Sequence, residues 1–551
     1  MNYNFSGVFT TPIPKLKPTG VDFISGSGAT AVFIMESAIP NGLSFSSVWS
    51  VGNSAQVGVE DVLEFLDNSF NKKSSSRVKL LYIESIEKPA KLLKHASSLI
   101  SKGCRIAAIK SGSSEAGSRA ASSHTGALVS SDVAVEALFR RAGIVRCQSR
   151  SELAAVASVF MHPEVSGKRI GIITHAGGPA VMLTDALTRG GLEVPPVSGK
   201  EAESLREKLF PGSSVNNPFD FLATGTAEQL GYIIDACQND FDNIDAMAVI
   251  FGSPGLFPVS DVYDLLDKKM RSGKKPIFPI LPSVINVKQE IIDFIEKGNI
   301  NFPDEVVFAN ALTKVLNTPG PEITDNNNIS IDRSRIRSII NKSSNGYLDP
   351  PDVSALLDAA GIPRAPESVA VSEEEALKAC SLMGYPVVMK VVGPVHKSDV
   401  GGVVLNVSDK ETVLKEYVKM MKIAGAKAVL IQKMVSGMEL FAGVKAEGPF
   451  GHLILTGLGG IFIEVLKDVS ASLVPVSESE AIRMIHSLKS YEIIKGVRGK
   501  PGINESVYID IICRLSALVE AAPEIFEMDL NPLMGTMDGI IAVDARIRIK
   551  R

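Results

Sequence analysis

The stretch Ser122-Ser123-His124-Thr125-Gly126-Ala127-Leu128-Val129 sets one histidine among small residues, between an apolar run and a helix-length pattern. An uncrowded imidazole can take and give a phosphoryl group, because its unprotonated nitrogen is nucleophilic near neutral pH. A Ser-rich loop with an incidental histidine satisfies the same window. Two further segments, Ser25-Gly26-Ser27-Gly28-Ala29 and His175-Ala176-Gly177-Gly178-Pro179, each follow a short apolar run and precede a helical pattern. At such a strand-to-helix turn the first amides of the helix have no intrahelical partner and the macrodipole adds partial positive charge. Ser25, Ser27, Gly28, Gly177 and Gly178 are therefore candidates to hold an anion without a cationic side chain. An ordinary tight turn uses the same glycines, and neither segment has the G-x-G-x-x-G spacing of a dinucleotide site.

Farther along, Pro386-Val387-Val388-Met389-Lys390 reads as a strand ending in a lysine that can reach nucleotide phosphates, followed by a Gly-flanked loop that can close over them. The run Gly457-Leu458-Gly459-Gly460 comes after Glu439 and Phe441-Ala442-Gly443-Val444-Lys445. Near the end, Asp529, Asn531 and Asp544 are expected to place oxygen atoms at the ends of two strands, a set suited to Mg2+, which shares its shell with phosphates and water. Turn residues of a hairpin are the alternative for those three.

These groups are carried by short Val/Ile/Leu-rich runs alternating with amphipathic stretches of helix length, the pattern of parallel sheets covered on both faces. The fold class is α/β. Strand signals at Val21-Asp22-Phe23-Ile24, Ser47-Val48-Trp49-Ser50, Val78–Ile83 and 105–109 form a first unit over 21–160. A second, over 166–320, opens with Arg169-Ile170-Gly171-Ile172-Ile173-Thr174 and has further strands at 246–251 and 276–281. The Asn/Asp-rich run at 324–328 reads as a linker, and a third unit fills 333–551. Residues 1–20 are a short extension.

With 551 residues the chain has material for several cores. A net charge of −4 with both signs interspersed leaves no electrostatic footprint for nucleic acid or an anionic membrane, so small-molecule partners are expected. Cys104, Cys147, Cys237, Cys380 and Cys513 lie far apart with no CxxC pair, which fits a reducing, cytoplasmic home. No apolar run has the length of a membrane span, and residues 1–20 lack a signal-peptide layout.

Taken together, these motifs resemble the ADP-forming acyl-CoA synthetases related to succinyl-CoA synthetase. The resemblance rests on Ser123-His124-Thr125-Gly126-Ala127, the two Gly turns, the 396–402 loop His-Lys-Ser-Asp-Val-Gly-Gly and the oxygen set near the end. It implies two flavodoxin-like domains followed by an ATP-grasp domain. It implies that His124 is phosphorylated, that Glu84 in Leu81-Tyr82-Ile83-Glu84 holds its imidazole, and that His396 relays phosphate between nucleotide and His124. It places Lys390, Lys397, Glu439, Gly459 and Gly460 at ATP or ADP, and Asn531, Asp544 and Asp529 at Mg2+. The substrates implied are a carboxylic acid or acyl-CoA, CoA, phosphate and nucleotide, in an oligomer. Fused members of the family usually begin with a CoA-binding Rossmann domain that has no counterpart in this sequence, so a separate CoA-binding subunit is expected. Ser472 stands where family members commonly have arginine, and its lost charge is expected to weaken phosphate neutralisation. Together these two departures support alternatives to catalysis by this chain as a CoA ligase: a non-catalytic subunit sensing nucleotide or acyl-CoA, or an ATP-dependent ligase with another acceptor.

Overall fold

A computed structural model describes residues 16–551, apart from 53, 55, 115, 118, 120–130, 254–257, 323–328, 394–400 and 467. The chain divides into two compact units, 1–322 and 323–551.

The first unit holds two all-parallel sheets. One is built from β1 (Leu16–Ser25), β2 (Phe45–Ser50), β3 (Val78–Ile83), β4 (Arg105–Lys110) and β5 (Val145–Cys147), in the order β2-β1-β3-β4-β5. The other uses β6 (Ile170–Thr174), β7 (Phe219–Asp220), β8 (Ala246–Ile250) and β9 (Ile277–Ile280), in the order β7-β6-β8-β9. In both, the second strand lies on one side of the first and the third on the other. That reversal opens a crevice at the carboxyl end of the first strand, where open α/β sheets bind ligands. The strands are buried on both faces, which is why they read as continuous apolar runs rather than alternating ones. Helix Glu305–Asn317 packs against both Arg150–Phe160 and Gly177–Arg189, so the two sheets share one apolar core.

The second unit carries a small four-stranded sheet, β11 (Glu367–Ala370), β12 (Val387–Val392), β13 (Val403–Val407) and β14 (Ala428–Lys433), in the order β11-β14-β12-β13. Its second sheet is antiparallel and contains β10 (Gly346–Tyr347), β15 (Met438–Ala446), β16 (His452–Leu458), β17 (Val469–Leu473), β18 (Ile525–Gly535), β19 (Ile540–Ala542) and β20 (Ala545–Ile549). One face of this sheet packs on helix Glu505–Ala521, where Tyr508 is buried and its hydroxyl is tied to Thr456 and to the carbonyl of Phe441. The opposite face presents the polar residues of β15, β18 and β20.

Two local expectations are corrected. Asp529 and Asn531 do not end a strand but lie inside the eleven-residue β18, whereas Asp544 lies between β19 and β20. The strand carrying Lys390 runs on to Val392. All five cysteines are buried thiols. Among the described residues no helix is long and apolar enough to cross a membrane.

Candidate functional site

In the first unit the turn after β1 is locked by its own hydroxyls. Ser25 Oγ donates to the Ser27 carbonyl at 2.7 Å and accepts from the Ser27 amide at 3.2 Å. Ser27 Oγ caps the helix Gly28–Ala38 by accepting from the Thr30 amide at 3.3 Å. The side chains of Ser25 and Ser27 are thus spent on the turn, and the open donors facing an anion are the first amides of the helix, at Gly28 and Ala29. The Gly26 amide donates to the Tyr82 carbonyl at 2.8 Å, which draws the turn against β3. A Cβ on Gly26 would lie 3.5 Å from Glu84 Cγ, so the predicted carboxylate stands beside the turn, at the crevice between β1 and β3.

The turn after β6 repeats the device with other residues. Thr174 Oγ1 donates to the Ala176 carbonyl at 2.8 Å and accepts from the Ala176 amide at 3.0 Å. Helix Gly177–Arg189 has no side-chain cap, and Gly177 and Gly178 are exposed with their amides leading it. His175 sits at the step occupied by Gly26 in the first turn. Its ring stacks on Phe251 with centroids 4.4 Å apart, and its Nδ1 is buried without a hydrogen-bond partner. Burial holds its pKa below the ordinary histidine value, against the opposing influence of the Ile250 and Gly252 main chain and of Asp220. In sequence this segment stands out only for its glycines. The phenylalanines ending the neighbouring strands were the signal that the crevice is lined for a ring.

His124 lies outside the described residues, and so do His396 and Lys397. The ends of the segment carrying His124 are described. Ser111 leaves β4 with its amide donating to the Ile83 carbonyl at 3.0 Å. The chain re-enters helix Asp132–Ala142, whose Asp132 and Glu136 are both gripped by Arg146. Lys110, not singled out from sequence, is 5% exposed at the last position of β4.

In the second unit, Met389 and Val391 pack into the apolar core while Lys390 points to the other face of β12. Its Nζ donates to the Val543 carbonyl at 2.5 Å, next to Asp544. On the antiparallel sheet, Asp529 pairs in register with Gly443 on one side and Arg546 on the other. Two residues on, Asn531 Oδ1 accepts from the Gly460 amide at 3.0 Å, and the Gly459 amide donates to the Glu439 carbonyl at 2.8 Å. A Cβ on Gly460 would run into the Glu439 carboxylate, and one on Gly459 into the backbone of Leu440. Glu439, Gly459, Gly460 and Asn531 form one cluster, and Lys390 and Asp544 meet through Val543. A cavity of about 220 Å³ adjoins Val543 and Asp544, lined among others by Val392, Leu430, Gln432 and Arg546.

Asp529 Oδ1 is buried without a hydrogen-bond partner. Burial pushes its carboxyl up to about 6, with Asp544 and Glu527 adding to the rise and Arg546 opposing it. A desolvated carboxylate beside a second one fits a hard divalent cation. Among the described residues no group of three or more His, Cys, Asp or Glu side chains makes a complete cage. Two carboxylates and an amide oxygen suit Mg2+, which completes its shell with phosphates and water.

Ser472 is corrected. It pairs in register with Ile454, a residue of the apolar core, and is fully buried on the helix-packed face. Its Oγ donates to Glu480 Oε1 at 2.7 Å, and Arg483 pairs with the same carboxylate. Ser472 thus faces away from Asp529 and Asn531, so its identity affects packing rather than phosphate charge, and one ground for a sensing role is removed.

Residues 18–160 match the succinyl-CoA ligase like flavodoxin domain, and 340–549 match an ATP-grasp domain. The acetate–CoA ligase [ADP-forming] I of Archaeoglobus fulgidus is 33% identical over 96% of this chain and 77% of its own length. The chain belongs to the ADP-forming acyl-CoA ligase family. Another member, the 4-hydroxybutyrate–CoA ligase [ADP-forming] of Nitrosopumilus maritimus, is 30% identical over 97% of the chain and 78% of that protein. The family also has divided members. The acetate–CoA ligase [ADP-forming] I subunit beta of Pyrococcus furiosus is 38% identical over 39% of this chain and 97% of its own length.

Proposed function

We propose that this protein interconverts acyl-CoA, ADP and phosphate with a carboxylic acid, CoA and ATP. The observation that carries the reading is the buried, unpartnered Asp529 Oδ1 beside Asp544, with Asn531 two residues on along β18 and Lys390 bonded to the Val543 carbonyl, a set suited to a metal-bound nucleotide. Lys390 balances phosphate charge as a point cation, and the close-packed Gly459 and Gly460 let main chain approach the nucleotide. Mg2+ held by Asp529, Asp544 and Asn531 supplies charge neutralisation for phosphoryl transfer.

In the first unit, the anion faces the amides of Gly28 and Ala29 and those of Gly177 and Gly178. His124 takes the phosphoryl group from an acyl phosphate: the P–O bond to the acyl oxygen breaks, a P–N bond to the imidazole forms, and the carboxylate leaves. Glu84 holds the other ring nitrogen and fixes the tautomer. His396 then relays the group to ADP. In this reading CoA is brought by a Rossmann domain on a partner subunit; the divided relative above supports only the coarser point that family members can be built from separate subunits.

The test is phosphorylation by labelled ATP with Mg2+. Wild-type protein gives an acid-labile, base-stable phosphoprotein, and His124→Ala gives none. A wild type that binds nucleotide yet stays unlabelled refutes the reading and favours a sensing subunit.

A further inference from the structure

Lys110 is a buried cation with too few partners. Among the described residues its Nζ donates to one group, the Ser111 carbonyl at 2.5 Å, and no carboxylate pairs with it. A lysine buried to this degree is ordinarily paired, because desolvating an ammonium costs more than one neutral hydrogen bond returns. The side chain does not lie across the sheet. By bonding the next residue's carbonyl it curls up over the carboxyl edge, the edge that carries the 25–28 turn and Glu84. Ile83 is its register partner on β3, so Lys110 and Glu84 are on neighbouring strand ends.

The charged groups around it are few. Burial, the largest influence, pulls its pKa down; Asp132 and Glu84 oppose that, and Arg146 adds to it. Asp132 is already held by Arg146. Arg146 spends its charge on Asp132 and Glu136, whereas Lys110 has unspent donors among the described residues. The ammonium stands where the chain leaves β4, in register with Ile83, and it shares with the 25–28 turn the neighbour Glu84, which stands beside Gly26.

We propose that Lys110 holds the phosphate of the acyl phosphate at the first unit's anion site, supplying the positive charge that the 25–28 turn provides only as main-chain dipoles. The inference rests on the ligase reading above. When the P–O bond breaks and the phosphoryl group moves to the imidazole, the ammonium keeps its three protons and follows the anionic oxygens. It exchanges no proton and forms no covalent bond. An anion there also restores the ammonium to full protonation, which its buried site disfavours.

The role makes the two routes to the phosphohistidine separable. Labelled ATP with Mg2+ loads His124 from the nucleotide side, and labelled acetyl phosphate, used as the acyl phosphate probe, loads it from the first unit. Lys110→Met removes the charge and keeps the buried stem. It is expected to cut the rate from acetyl phosphate at least about tenfold, the scale of a lost charge-assisted hydrogen bond, while leaving the rate from ATP within about twofold. Lys110→Arg should recover part of the acetyl phosphate route, with the defect in KM for acetyl phosphate. Equal losses by both routes with an unchanged unfolding transition refute the assignment, and so does no loss by either. Loss of both with a shifted transition also refutes it, since Lys110 is then a folding residue. Wild type labelled by neither route refutes the ligase reading itself, and the role of Lys110 falls with it.

Discussion

Asp529→Asn should make the protein more stable and less able to hold Mg2+. The carboxyl is raised from 3.8 to about 6, first by burial and then by Asp544 and Glu527, with Arg546 opposing. A folded-state pKa above the unfolded value means that the neutral acid is the form the fold tolerates. That stability is complete below pH 3.8 and is lost as pH rises through 6. Roughly two units at about 1.4 kcal/mol each put the cost of the ionised carboxylate at about 3 kcal/mol at pH 7.5, falling to about half of that at pH 5. The amide has nearly the same shape and no charge, so it relieves the cost. In urea titrations with chelator present, Asp529→Asn should exceed wild type by that margin at pH 7.5, with the gap narrowing at pH 5 and closing near pH 4. Adding Mg2+ with ADP should stabilise wild type and barely move the variant. A variant no more stable than wild type at pH 7.5, or a gap that does not change with pH, refutes the assignment of Asp529 as a desolvated cation ligand. The trade is the expected one for a binding group held ready at the expense of stability.

Two further outcomes follow from groups away from the nucleotide. His162 is fully buried between Phe278 and Phe302, accepts no charge readily, and has its pKa lowered from 6.5 to about 4 by burial. Its contribution is present above pH 6.5 and lost as pH falls toward 4, up to about 3 kcal/mol. His162→Phe should flatten the fall in melting temperature across that window, and an unchanged pH profile would count against the assignment. Ser472→Ala removes one donor from the buried Glu480. It should lower stability by about 1–2 kcal/mol and leave the KM for ATP unchanged, whereas a large rise in that KM would restore Ser472 to the phosphate site.

Parallel sheets were legible because each strand of the first unit is a continuous apolar run next to a helix-length pattern, and burial on both faces imposes that composition. The turns at 25–28 and 175–178 were legible because the Gly/Ser signal is local. The hydroxyl staples were not, since Ser25 and Ser27 look the same in sequence whether they bind an anion or close a turn. Ser472 was misread because a strand's period of two puts adjacent residues on opposite faces, and only the pairing with Ile454 says which face is which. Asp529 and Asn531 were recognised as oxygen donors but misplaced at a strand end, because no local pattern marks where an eleven-residue strand such as β18 stops.

The sequence by itself determined the α/β class, the order of elements, the family and the residue types available for phosphoryl transfer, because these depend on near neighbours in the chain. Tertiary structure alone decided which of those residues are free to act. It turned Ser472 into the core, left Asp529 Oδ1 unpartnered and buried Lys110 with a single bond among the described residues. Desolvation and hydrogen-bond saturation are properties of what surrounds an atom in space, and residues dozens to more than a hundred positions away supply that surrounding.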